Sequence, residues 1–236
     1  MSVIFECQNL TKRYGGLLAL DRVNLGLEEG RIVGLLGPNG SGKTTLLKLA
    51  NGLLQPTDGA IFLQGLIPGV ETKGFVSYLP DASYLMDWMN MRDLIRMFED
   101  FYPDFRRNRA EDMLRALGLP DRMPLKSLSK GNREKVQLIL AMSREARIYL
   151  LDEPIGGVDP AARDYILNTI VRNYSENALV VISTHLIADV ERMLDEAVLI
   201  NAGQIVAHRS VDDIRENEGM SVDTYFREVF RCLGNY

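Results

Sequence analysis

Long apolar runs are missing from this chain: nowhere do about eighteen consecutive apolar residues occur, the length a membrane-crossing helix demands. The first residues, Met1-Ser2-Val3-Ile4-Phe5-Glu6, do not read as a secretory signal, so any membrane role is expected to be peripheral. Cysteine is scarce. Cys7 and Cys232 stand near opposite ends without the spacing of a metal site or a pair, which points to a reducing cytosol and two inert thiols. No basic tail or stripe is present: 27 Lys+Arg against 32 Asp+Glu leave a formal charge of −5, which weighs against a nucleic-acid partner. Repeats, low-complexity tracts and flexible linkers are also lacking. What remains is 236 residues, 46% hydrophobic, enough for one large α/β domain or a core with a modest insertion.

Short strand-like stretches come first, at Val3–Gln8, Val23–Leu27, Ile32–Leu36, Ala60–Leu63 and Phe75–Leu79, separated by Gly- and Pro-containing turns. One helix, Lys43–Asn51, interrupts them. From Pro80 to Leu128 the spacing becomes helical, with Leu94, Phe98 and Phe101 on one face, Met113, Leu114 and Leu117 on another, and Gly118 as a stop. Then follow a helix over Lys130–Arg144, an apolar strand Ile148–Leu151, a helix Ala161–Tyr174, a strand Leu179–Ser183 and a helix Leu186–Leu194. A hairpin of Ala197–Asn201 and Gln204–His208 precedes terminal helices. Apolar strands alternating with helices predict a mostly parallel sheet covered on both faces, with ligand at the carboxyl ends of the strands.

The run Gly37-Pro38-Asn39-Gly40-Ser41-Gly42-Lys43-Thr44-Thr45 sits between an apolar strand and a helix. Its glycines let successive backbone N–H groups turn toward one anion, and the helix dipole adds positive potential there. Lys43 can reach terminal phosphates and Thr44 offers a hydroxyl to Mg²⁺, so a nucleoside triphosphate is the expected ligand. A second half of the site stands at Ile148-Tyr149-Leu150-Leu151-Asp152-Glu153-Pro154, a buried-type strand ending in two carboxylates. Strand alternation points them in different directions. Asp152 is expected to hold Mg²⁺ beside Thr44, and Glu153 to orient or deprotonate the attacking water.

Six ordered signals together resemble the nucleotide-binding subunits of ABC transporters over nearly the whole chain. The Gly37–Thr45 loop and the Asp152–Glu153 strand resemble the two Walker motifs. Tyr14 resembles the aromatic that stacks on adenine, although a tyrosine before Gly15-Gly16 is equally suited to pack at a strand end. Leu128-Ser129-Lys130-Gly131-Asn132 resembles the signature motif, Gly156-Gly157-Val158-Asp159 the D-loop, and Thr184-His185 the switch histidine. Ser129 is a good N-cap and Gly131 permits close approach, which makes this a second phosphate-binding helix end. The resemblance implies a P-loop NTPase (RecA-like), mostly parallel sheet core with an antiparallel β subdomain and a helical insertion. It implies ATP and Mg²⁺ as cofactors, ATP hydrolysis with Lys43, Glu153 and His185 as catalytic residues, and Thr44, Asp152 and Asp81 around the metal. It further implies a second nucleotide-binding subunit, identical or homologous, whose ATP is completed by Ser129, Lys130, Gly131 and Asn132. Separate transmembrane permease subunits would place the protein peripherally on the cytoplasmic face of the membrane.

The expected division is 1–80 for the first part of the ATPase core, 81–133 for the helical, signature-bearing part, and 134–236 for the rest of the core. Departures from the family pattern accompany it. Asp81 stands where the family places a glutamine that touches Mg²⁺ and reports nucleotide state, while Lys130 and Asn132 replace glycine and glutamine. Lys130 either attracts the partner's γ-phosphate or extends to solvent. The segment Tyr84–Met91, with three methionines and the only tryptophan, is either a docking surface for a membrane subunit or core of the helical insertion. An exporter is the leaning on cargo direction. The rival readings are an ABC-type ATPase acting on DNA or ribosomes and a P-loop kinase.

Overall fold

The computed structural model describes residues 2–119, 122–158, 160–232 and 234. A six-stranded sheet has the order β5-β6-β7-β3-β8-β9, formed by β3 (Ile32–Leu36), β5 (Val76–Leu79), β6 (Ile148–Asp152), β7 (Leu179–Thr184), β8 (Glu196–Asn201) and β9 (Gln204–Ser210). All neighbours pair in parallel except β8 and β9, the hairpin. A separate antiparallel sheet orders β2 (Leu17–Glu28), β1 (Val3–Tyr14) and β4 (Asp58–Leu63) as β2-β1-β4. Every residue of β3, β6 and β7 is buried, which is why these segments read as unbroken apolar runs. Their alternate side chains feed two cores. Ile148 and Leu150 pack with α1 (Lys43–Ala50) and the antiparallel sheet, while Tyr149 and Leu151 pack with α5 (Pro160–Asn173) and the terminal helices α7 (Val211–Asn217) and α8 (Val222–Cys232).

β1 and β2 run well beyond the stretches expected from apolar content. Register shifts after Cys7 and around Leu10 insert bulges, and Asn9 and Arg22 take left-handed φ angles of 47° each. A bulge resets the in–out alternation, so Leu10 and Thr11 are buried one after the other and a simple period of two fails to follow the strand.

A third core belongs to the helical segment, built by α2 (Met91–Phe101), α3 (Arg107–Ala116) and one face of α4 (Lys130–Met142), carrying Val136, Ile139 and Leu140. Leu94 and Phe98 face inward as expected, but Phe101 is 73% exposed. The helix ends there, and the ring of Tyr102 takes the inward place, 5.5 Å from Phe98. Gly118 stops α3 as expected: its N–H donates to the Arg115 carbonyl, and that of Leu119 to Leu114. The predicted helix over Leu186–Leu194 shrinks to α6 (Ile187–Val190). Asp195 exchanges hydrogen bonds with the backbone of Ile32 through its own N–H and its carboxylate, which draws the chain out of the helix and into β8. Of the two thiols, Cys7 is buried, and burial pushes it far above its ordinary pKa; Cys232 is exposed.

Arg144, which no motif in the sequence singles out, joins the helical segment to the core. Its guanidinium, 3% exposed, binds both carboxylate oxygens of Asp104 at 2.9 and 3.0 Å, donates to the carbonyls of Lys73, Gly74 and Val76, and lies 4.0 Å over the Tyr102 ring.

Candidate functional site

The Gly37–Gly42 loop leaves the carboxyl end of β3 and opens into α1, whose first turn carries no acidic residue and no side-chain cap. Its N–H groups and dipole are therefore available to an anion. Glycine is required by contact as much as by conformation. A Cβ on Gly37 would lie 2.3 Å from the Ile200 carbonyl oxygen, and one on Gly42, at φ 111°, 2.7 Å from that of Ala19. The turn between β8 and β9 props the loop from behind, through the Gly203 N–H donated to the Ser41 carbonyl.

Lys43 is 5% exposed and folds over the loop, donating to the carbonyls of Gly37 at 2.8 Å and Pro38 at 3.1 Å. Its ammonium also stands 3.4 Å from Glu153 Oε1. In the parity of β6, Asp152 points to the same face as Ile148 and Leu150, toward α1, and there it meets Thr44, whose hydroxyl donates to Asp152 Oδ1 at 3.1 Å. Ser183, the register partner of Asp152 on β7, donates to the same oxygen at 2.6 Å. Sequence reasoning passes over Ser183; its signal is a hydroxyl breaking an otherwise apolar strand end.

Burial pushes the Asp152 carboxyl above its ordinary range, with Asp81 and Glu153 adding to the rise and the hydrogen bonds from Ser183 and Thr44 opposing it. Asp152 Oδ2 is buried without a hydrogen-bond partner. An orphaned carboxylate oxygen beside a threonine hydroxyl fits a hard cation such as Mg²⁺. Among the described residues no group of three or more His, Cys, Asp or Glu could hold a metal alone, so phosphate oxygens and water would complete the shell.

Glu153 leaves the strand rather than continuing it. Its φ is 48°, and its N–H is held by the Ser183 carbonyl at 3.0 Å and hydroxyl at 3.1 Å. The left-handed turn costs on the order of 1–3 kcal/mol in a non-glycine residue. It, and not strand alternation, aims the carboxylate between Lys43 and His185, whose Nδ1 lies 3.1 Å from Glu153 Oε2. The arrangement thus offers a carboxylate, an ammonium and an imidazole around one point in front of the loop.

Asp81 follows β5 and is exposed, lining a narrow cleft with Asp152 and Glu153. Ser129 caps α4 by accepting from the Asn132 N–H at 3.3 Å, and a Cβ on Gly131 would meet nothing within 4 Å. Among the described residues no hydrogen bond or ion pair joins Ser129–Asn132 to Gly37–Thr45. Tyr14 stands apart too, 45% exposed at the β1–β2 turn with the Lys12 ammonium 5.3 Å from its ring centroid. Asp159 lies outside the described residues.

The family model described as ABC transporter matches residues 20–156, more than half of the chain. The chain belongs to the ABC transporter family. It is an ATP-binding subunit and an ATPase of the ABC type, as the loop and carboxylate strand require. The peptide export ATP-binding protein SkfE of Bacillus subtilis is 28% identical, covering 99% of this ABC chain and 98% of the relative. A solved ATP-binding subunit of an ABC transporter superposes with a TM-score of 0.86 at 28% identity, over 96% of this chain and 99% of that one. A dimeric ATP-binding cassette in a post-hydrolysis state with ADP and Pi shares the fold, with a TM-score of 0.77 at 22% identity over 88% of this chain and 98% of that one. No helix among the described residues is long and apolar enough to cross a membrane.

Proposed function

We propose that two nucleotide-binding subunits, two copies of this chain or this chain and a homologue, close over MgATP and drive a separate transmembrane permease that exports its cargo. The observation that carries the reading is the placement of Glu153 between Lys43 and His185, beside Asp152 with its unpartnered oxygen. Lys43 holds the β- and γ-phosphates, Glu153 takes the proton from or orients the attacking water, and His185 contacts the γ-phosphate. Thr44 and Asp152, with Asp81 nearby, would hold Mg²⁺, which when bound neutralises charge on the transferring phosphoryl group. Tyr14 stacks on adenine. Ser129, Lys130, Gly131 and Asn132 supply the second phosphate-binding end to the partner's nucleotide, and Asp159 keeps the D-loop role the resemblance gives it. The open space at Gly131 supports that role for the helix end, since a Cβ there would meet nothing within 4 Å among the described residues.

In this reading the chain divides into 1–80, 81–133 and 134–236, and the middle part is the one that meets the membrane subunit. Leu85, Met89 and Met91 are buried in its core, whereas Met86 and Trp88 are 51% and 76% exposed. Next to them opens a cleft of about 360 Å³ between Tyr84, Phe98 and Tyr102 on one side and Lys48, Lys73 and Tyr78 on the other. A permease segment docked there would hold the subunit on the cytoplasmic face of the membrane. Export rests on the named activity of SkfE. The acidic charge disfavours DNA or ribosomes as the target.

Glu153→Gln tests the core of this reading. ATP turnover should fall on the order of 10²–10⁴-fold, the usual worth of a positioned base. The variant should run as a dimer in ATP by light scattering. Near-normal turnover, or a monomer under saturating ATP, would overturn it.

A further inference from the structure

Four carboxylates and one ammonium line the narrow cleft between the end of β5, the start of α4 and the turn after β6. Asp81, Glu134, Asp152 and Glu153 supply the negative charge, and Lys130 is the one cationic side chain among the described residues of the lining. Two atoms mark the cleft as a place short of positive charge. Asp152, 1% exposed, and Glu134 each keep a carboxylate oxygen buried there without a hydrogen-bond partner. Lys130 Nζ stands 3.8 Å from the other Glu134 oxygen. The ammonium lies against the turn after β6, 3.5 Å from where a Cβ on Gly157 would stand. Burial holds the Glu134 carboxyl above its ordinary range, Lys130 opposes that rise, and Asp81 adds to it. The ammonium therefore also acts inside its own subunit.

We propose that Lys130 is a positioning residue for the ATP site of its own subunit: it balances Asp81 and Glu134, so that the carboxylate cleft does not repel the γ-phosphate held by the neighbouring loop. The inference rests on the assignment of ATP to that loop. A triphosphate brings several negative charges to the edge of a cleft that already carries four carboxylates. Each uncompensated unit charge near the phosphates, screened by nearby water, weakens such binding by roughly two- to fivefold. Among the described residues no hydrogen bond or ion pair joins Glu134 or Asp81 to the loop or to α1, so with Mg²⁺ removed the effect of Lys130 passes through their charge.

The test is equilibrium binding of a fluorescent ATP analogue to the full chain in EDTA, dilute enough to remain monomeric. Lys130→Ala should weaken binding about two- to fivefold, and Lys130→Arg should keep it near the wild-type value. Asp81→Asn placed in the Lys130→Ala chain should recover most of the loss, and 0.5 M salt should erase the difference. The matching ADP analogue, lacking the γ-phosphate, should show a smaller effect. Because the Lys130 side chain is 81% exposed, the variants should melt with the wild type. Unchanged affinity in Lys130→Ala, or Asp81→Asn acting independently of it, overturns the inference while wild-type binding leaves the ATP assignment standing. A wild-type chain that ignores the analogue would sink both.

Discussion

The ammonium of Lys43 stands 3.4 Å from the carboxylate of Glu153, so the group expected on the phosphates and the group expected on the water are an ion pair. Charge is thereby arranged in advance on both sides of the point where the γ-phosphate would sit. Lys43 is almost wholly buried and Glu153 is 13% exposed, which keeps water from screening the pair.

Lys43→Met should remove the cation without opening a cavity. Turnover is expected to drop on the order of 10²–10³-fold, the scale seen when one preorganised charge-stabilising donor is lost. Steady-state ATPase measurements at saturating nucleotide check this, with a melting curve to confirm folding. A variant within threefold of wild type would remove Lys43 from the catalytic group.

Gly37 and Gly131 should respond differently to alanine. At Gly37 the added Cβ meets the Ile200 carbonyl at 2.3 Å, so Gly37→Ala should displace the loop and weaken ATP binding by the isolated chain. A Cβ on Gly131 meets nothing within 4 Å among the described residues, and alanine in a helix is favoured over glycine by about 1 kcal/mol. Gly131→Ala should therefore leave monomer stability and nucleotide affinity intact or slightly improved, yet lower turnover at least tenfold by blocking the partner's phosphate. Full activity in Gly131→Ala would argue against the paired site.

Arg144→Met strips Asp104 of its bidentate partner and leaves the carbonyls of Lys73, Gly74 and Val76 without a donor. Breaking a buried ion pair from one side costs about 3–5 kcal/mol. Urea unfolding should show a loss of that size, with a smaller loss for Asp104→Asn because the guanidinium keeps its carbonyls. A double-mutant cycle with zero coupling would show that the two residues do not act together.

Asp152 sets a pH signature. Its carboxyl titrates above the ordinary range in the folded chain, so the folded state binds that proton more readily than the unfolded chain does. Stability from this group is then present at acid pH and is lost as pH rises from the ordinary carboxylate value through the raised one, at about 1.4 kcal/mol per unit of separation. Asp152→Asn keeps an acceptor for Ser183 and Thr44 but cannot ionise. In Mg²⁺-free buffer, the melting temperature of the variant minus that of the wild type should grow from acid to neutral pH. A difference that stays flat or shrinks with rising pH contradicts a raised Asp152 pKa.

Local chemistry was legible without a fold. The phosphate loop, the carboxylates after an apolar strand and the Ser129 cap each depend on residues adjacent in the chain, because helix ends and tight turns are governed by a handful of neighbouring backbone groups. The alternation of apolar strands with helices likewise announced a parallel sheet, since strands covered on both faces need apolar residues at every position.

Only the tertiary structure decided what lies across from what. Ser183 reaches Asp152 through a parallel register between segments 31 residues apart. Glu153 turns by a left-handed residue that no alternation rule foresees, and Arg144 gathers carbonyls some 70 residues upstream. Phe101 points outward because Tyr102 claims its place, and Lys130 shares one cleft with Asp81, Asp152 and Glu153 from distant parts of the chain. Periodicity tells which side chains share a face. Which neighbour that face meets is fixed by long-range pairing and close packing, and those exist only once the chain has folded.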